Sequence, residues 1–175
     1  MIGNDVIDIL QSRQESNWQR KGFLEKLFTP EEQLLIDRDL NSEMMVWLLW
    51  SMKEAAYKIY NRQTKIRAYI PQKLVCTIDT QSTSGASGKV SCFGRVYYTK
   101  TIFHKEYLHT IAVSHPYQWA TVLEIKKKNI LKNEQGIPFL ASAPSKTSQN
   151  VSVSNHGRFE KVVCLSALNT RASAL

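Results

Sequence analysis

Cysteine is scarce in this chain: Cys76, Cys92 and Cys164 are scattered, odd in number, and form no Cys-x-x-Cys pair. That excludes a disulfide framework or a cysteine-based metal motif and reads as reduced, packing thiols. No two of the four histidines have helical metal-ligand spacing, and the seven glycines build no P-loop. Long hydrophobic runs are missing too. The longest, Met44 to Trp50, is far too short to cross a bilayer. No basic region followed by an apolar signal segment precedes the first strand, so a cytoplasmic protein is expected. Acidic residues are outnumbered, 15 against 23 Lys and Arg, which gives a net charge of +8 and a pI near 9.4. Acidic partners are therefore expected. Nucleic acid is the general suspicion at such a pI, but the basic clusters lack interleaved aromatics. Those clusters are Arg62, Lys65 and Arg67 after the central helix, and Lys126-Lys127-Lys128.

What is present suffices for one domain with a real core: 175 residues, 43% of them hydrophobic. Met1 to Asp8 reads as a strand, Leu10 to Lys26 as largely helical, and Thr29-Pro30-Glu31-Glu32 as a capping box opening a helix to about Leu40. Ser42 can cap a long central helix reaching Tyr60 or Asn61. The pattern then turns to strands: Lys73 to Thr80, one or two within Lys89 to Lys100, and a pair at Leu108 to Ser114 and Trp119 to Ile125. Thr80 to Gly88 reads as a turn and Lys126 to Gln135 as a connector. The expected fold is α+β, an antiparallel sheet packed with a long central helix. Residues 1–125 form the main unit, 126–165 a connector and completing β segment of the same domain, and 166–175 a tail.

Two stretches carry chemistry. In the first strand Gly3, Asp5 and Ile7 share one face and Asn4, Val6 and Asp8 the other. An acid on a buried face needs a cation or donors, and Gly3 leaves room for something to approach the backbone. In the helix, Trp50-Ser51-Met52-Lys53-Glu54-Ala55-Ala56-Tyr57-Lys58 puts Glu54 and Lys58 on one face within apolar sequence. The bland reading of that pair is a helix-stabilising ion pair worth roughly 0.2–0.5 kcal/mol.

Taken together, Ile2-Gly3-Asn4-Asp5, Phe28-Thr29-Pro30-Glu31-Glu32 and Trp50 to Lys58 resemble the 4′-phosphopantetheinyl transferase superfamily in residues, order and separation. Residues 1–125 look like the catalytic half of the larger, surfactin-synthetase-activating type. Residues 136–165 look like that type's Gly-Lys-Pro and Ser-His-x-Gly segment, placed here after the Gly-x-Asp strand as in the small holo-acyl-carrier-protein synthases. The resemblance implies Mg²⁺-dependent transfer of 4′-phosphopantetheine from coenzyme A to a serine of an apo acyl carrier protein or peptidyl carrier domain, in fatty-acid synthesis or a secondary pathway. It implies Asp5 and Glu54 as metal ligands, Glu54 and Lys58 as catalytic residues, and Lys58, Lys53, Asn155 and His156 as coenzyme A contacts.

Two departures stand out. Ile7 replaces a second acid of the larger type, leaving a metal shell like that of the small synthases, completed by water. Asn155 occupies the place of the family histidine, with His156 beside it. One complete half plus a partial one implies a homo-oligomer, with a site shared between subunits. The alternatives are a non-catalytic relative that binds coenzyme A or a carrier, and, more remotely, a basic nucleic-acid-binding module.

Overall fold

The computed structural model describes residues 1–134, 136–140 and 149–166. Strand β1 (Ile2–Asp8) is buried along its whole length and ends where the Asp8 carboxylate accepts from the Leu10 and Gln11 N–H groups, capping α1 (Ile9–Glu15). The helix expected from Leu10 to Lys26 is broken. Extended backbone at Ser16 stops α1, and Gly22, at φ +81°, precedes a short α2 (Phe23–Leu27). A glycine tolerates that left-handed conformation without a Cβ clash. Helix α3 (Pro30–Arg38) opens with the capping box read from Thr29 and Glu32. Helix α4 (Ser42–Thr64) is capped by Asn41, not Ser42, and runs past Asn61 until Lys65 turns left-handed.

Strands β2 (Leu74–Gln81), β3 (Gly85–Cys92), β4 (Arg95–Phe103) and β5 (Tyr107–Val113) join β1 in an antiparallel sheet of order β1-β5-β4-β3-β2. Strand β3 therefore starts inside the segment expected as a turn. Strand β5 lies between β1 and β4 and does not pair with the strand after His115-Pro116, as its sequence neighbourhood had implied. Helix α4 covers one face of this sheet. Val46, Leu49, Met52, Ala55, Ala56 and Ile59 pack with Leu74, Val90, Tyr97, Leu108 and Ala112 in the main core. Full burial of each large aliphatic side chain is worth about 1.5–3 kcal/mol, which is why this helix holds despite its two ion-bearing turns.

Strands β6 (Val122–Glu124), β7 (Ile130–Lys132), β8 (Pro138–Leu140), β9 (Gln149–His156) and β10 (Phe159–Leu165) form a second antiparallel sheet, ordered β6-β10-β9-β8-β7. It closes over β1 by an unusual device. The N–H groups of Asn4, Val6 and Asp8, on the edge of β1 away from β5, donate to Ser152 Oγ (3.0 Å), Ser154 Oγ (3.2 Å) and His156 Nδ1 (2.9 Å). Alternate side chains of β9 thus replace a backbone ladder and satisfy an otherwise open strand edge. Buried Arg62 adds a stitch, donating to the carbonyls of Ile2 and Val151. Most of the expected tail, residues 167–175, lies outside the described residues. No helix among the described residues is long and apolar enough to cross a membrane.

Candidate functional site

Because side chains alternate along β1, Asp5 projects toward α4, where Glu54 and Lys58 lie one turn apart. The Lys58 ammonium donates to the Asn4 carbonyl at 2.6 Å and lies 3.5 Å from Asp5 Oδ1. Ser154 Oγ donates to the same oxygen at 2.9 Å. Asp5 Oδ2, equally buried, has no hydrogen-bond partner among the described residues. The bland ion-pair reading of the helix is thereby displaced: the ion pair of Lys58 is with Asp5.

Both carboxyls are held above their usual range. Burial raises Asp5 against the opposing pull of Lys58 and Ser154. Burial, and then the Asp5 charge, push Glu54 up to about 7. The Tyr69 phenol approaches Glu54 without completing a hydrogen bond of ordinary geometry, and its burial against these carboxyls raises its own pKa. Two carboxyls, one raised by the other's charge and one with a free buried oxygen, fit a divalent cation. No cluster of three or more His, Cys, Asp or Glu side chains suited to a metal occurs among the described residues. A donor set of two carboxylates suits Mg²⁺, which keeps waters and phosphate oxygens in its shell.

One cavity opens on this pair and another on Lys58. One, of about 420 Å³, has Asp5, Glu54, Asn155 and His156 on its wall, and an apolar lining of Val6, Ile7, Phe23, Leu27, Trp47 and Trp50, with Arg20 and Lys26 also present. The other, of about 400 Å³, is lined by Tyr57, Lys58, Asn61, Arg62, Arg67, Gly136, Ile137, Pro138 and Val153. Every charged residue lining it is a cation. Such a cavity suits a phosphate-bearing group.

The structure does not bring every candidate to this place. Lys53 is fully buried and donates to Glu32 Oε2 at 2.6 Å and to the carbonyls of Leu27 and Pro71, so its ammonium has no donor left for a phosphate. It ties α4 to α3, and Glu32 Oε1 also accepts from the Cys76 N–H at 2.7 Å. Asp8 is turned away to Arg158, which holds its carboxyl well below the usual range. His156 uses both ring nitrogens, Nδ1 toward the Asp8 N–H and Nε2 at 3.0 Å from Glu15. Asn155 is exposed at the cavity wall. Residues 154–158 come from the same chain as Asp5 and Glu54, so this part of the site needs no second subunit.

Sequence reading noted Arg62 and Arg67 only as a basic cluster after the central helix, and missed Tyr69 and the hydroxyl of Ser154. Ser154 carried a signal, as part of the segment singled out for Asn155 and His156. Tyr69 joins through tertiary packing that has no local pattern.

No curated protein matches the chain. The profile of the 4′-phosphopantetheinyl transferase superfamily, however, matches residues 1–122, the stretch carrying β1, α4 and both carboxylates. The chain belongs to the 4′-phosphopantetheinyl transferase superfamily.

Proposed function

We propose that this protein transfers 4′-phosphopantetheine from coenzyme A to a serine of an apo acyl or peptidyl carrier protein, releasing 3′,5′-ADP. The observation that carries the reading is the free buried Oδ2 of Asp5, which shares a cavity wall with the Glu54 carboxyl. Asp5 and Glu54 would hold Mg²⁺, which when bound supplies charge neutralisation at the pyrophosphate. Lys58 provides a fixed cation beside the leaving phosphate, anchored by the Asn4 carbonyl. As the serine oxygen bonds to phosphorus and the bond to 3′,5′-ADP breaks, the serine proton passes to Glu54. A carboxylate has a second oxygen that can accept it while the first faces the metal.

The two cavities orient the cosubstrate. Its phosphate-rich nucleotide end belongs with Lys58, Arg62 and Arg67, and its pantetheine arm with the apolar wall of Phe23, Leu27 and Trp50. The basic chain, at +8, suits an acidic carrier. With the β9–β10 hairpin present in the same chain, this reading does not depend on a homo-oligomer. Three free, buried cysteines accord with a reducing cytoplasm.

The test is mass spectrometry of apo carriers, from fatty-acid and peptide pathways, incubated with coenzyme A, Mg²⁺ and the protein. The expected result is a phosphopantetheine mass gain that disappears on chelation. No gain on any carrier would overturn the proposal.

A further inference from the structure

We infer that Ser154, on β9 and beyond the stretch that matches the family, is a positioning residue: its hydroxyl sets the Asp5 carboxylate so that Oδ2 is the oxygen left open for the metal. The inference rests on the reading of Asp5 as a metal ligand, and it assigns to the C-terminal hairpin a role in building the metal site.

The geometry is specific. Ser154 is buried, at 5% exposure, and its Oγ has two partners. It accepts from the Val6 N–H at 3.2 Å and donates to Asp5 Oδ1 at 2.9 Å. The first bond fixes the hydroxyl on the strand edge, so its hydrogen is committed to the carboxylate. Lys58, at 3.5 Å, is the longer contact to Oδ1, its shorter bond going to the Asn4 carbonyl. Ser154 is consequently the better hydrogen-bond partner of Oδ1. With Oδ1 occupied, Oδ2 is the oxygen that remains unpartnered.

The same strand supplies its own control. Ser152, two residues earlier on β9, accepts from the Asn4 N–H at 3.0 Å and clamps β1 by an equivalent bond. Among the described residues, its hydroxyl makes no bond to Asp5. Ser152 and Ser154 therefore share the clamping role, and Ser154 alone adds the bond to the carboxylate. Groups that orient a metal ligand from outside its shell contribute about 10–100-fold to metal affinity.

The experiment compares Mn²⁺ binding, read by electron paramagnetic resonance with coenzyme A present, in the wild type and in Ser154→Ala, Ser154→Cys, Ser154→Thr and Ser152→Ala. Thermal unfolding is recorded for each. Ser154→Ala is expected to weaken Mn²⁺ about 10–100-fold. Ser154→Cys, which keeps the shape with a poorer donor, should weaken it in the same direction even if the alanine variant does not fold. Ser154→Thr, retaining the hydroxyl, should return toward the wild type. Ser152→Ala should lose stability without this loss of affinity. Equal effects of Ser152→Ala and Ser154→Ala, or no effect of Ser154→Ala and Ser154→Cys, would overturn the positioning role and leave the transfer reaction standing. A wild type that binds no Mn²⁺ would instead overturn the metal reading of Asp5 and Glu54, and this inference with it.

Discussion

Gly3 in β1 lies directly against the Ala55 carbonyl of α4: a Cβ built on Gly3 would meet that oxygen at 2.1 Å and Ile59 Cγ1 at 3.2 Å. The strand bearing Asp5 and the helix bearing Glu54 can approach closely only because this residue has no side chain. Gly3→Ala is expected to force the two elements apart. Overpacking of this kind costs about 1–3 kcal/mol, and a backbone obstacle puts this position at the upper end or above. Urea unfolding would measure that loss. Transfer activity should fall more than the folded fraction does, because Asp5 and Glu54 separate.

The Glu54 carboxyl predicts a signed pH dependence in the metal-free protein. Its folded pKa of about 7 exceeds its unfolded value of 4.5, so the folded state binds the extra proton between those limits. Stability from this group therefore falls as pH rises from about 4.5 to 7. Burial of His109, which lowers its pKa to about 4, acts in the opposite sense between about 4 and 6.5. A difference measurement removes that background. Glu54→Gln should gain stability relative to the wild type between pH 5 and pH 8, by on the order of 3 kcal/mol at 1.36 kcal/mol per pKa unit. A pH-independent difference between the two would contradict the assigned environment.

The cavity assignments separate by ligand. The product 3′,5′-ADP lacks the pantetheine arm, so Phe23→Ala should raise KM for coenzyme A several-fold and leave the inhibition constant of 3′,5′-ADP unchanged. Arg62 lines the cationic cavity but also stitches Ile2 to Val151, so Arg67→Ala probes that cavity while leaving this stitch in place. It should weaken coenzyme A and 3′,5′-ADP together. Steady-state inhibition kinetics on an apo carrier would show which pattern holds.

Lys53 and Glu32 should behave as a structural pair. Both are buried and hydrogen-bonded throughout, so Lys53→Met leaves Glu32 as an uncompensated buried charge. The expected cost is about 3–5 kcal/mol. Denaturant unfolding measures it, and the folded fraction should keep the wild-type KM for coenzyme A. A selective rise in KM at unchanged stability would return Lys53 to the cofactor.

The motif residues were legible because strand and helix periodicities are local. A period of two put Gly3 and Asp5 on one face, and a period near four stacked Glu54 and Lys58. The capping box at Thr29 and Glu32 was legible for the same reason, being complete within four residues. Lys53 was misjudged because its face of α4 meets α3 and the carbonyls of Leu27 and Pro71, partners 18 to 26 positions away. The break after Glu15 was missed because apolar residues at Trp18 and Phe23 keep a helical rhythm through a segment that Gly22 interrupts.

By itself, the sequence determined the α+β class, the pairing of an acidic strand with an acid- and lysine-bearing helix, and the family those features mark. Only the tertiary structure decided how the carboxylates are completed. Asp5 owes its orientation to Ser154, 149 positions along the chain, and its ion pair to Lys58, 53 positions along. Local propensity sets which face a side chain occupies. Which atom of it stays open to a ligand is set by long-range hydrogen bonds that close only once the β9–β10 hairpin docks on β1.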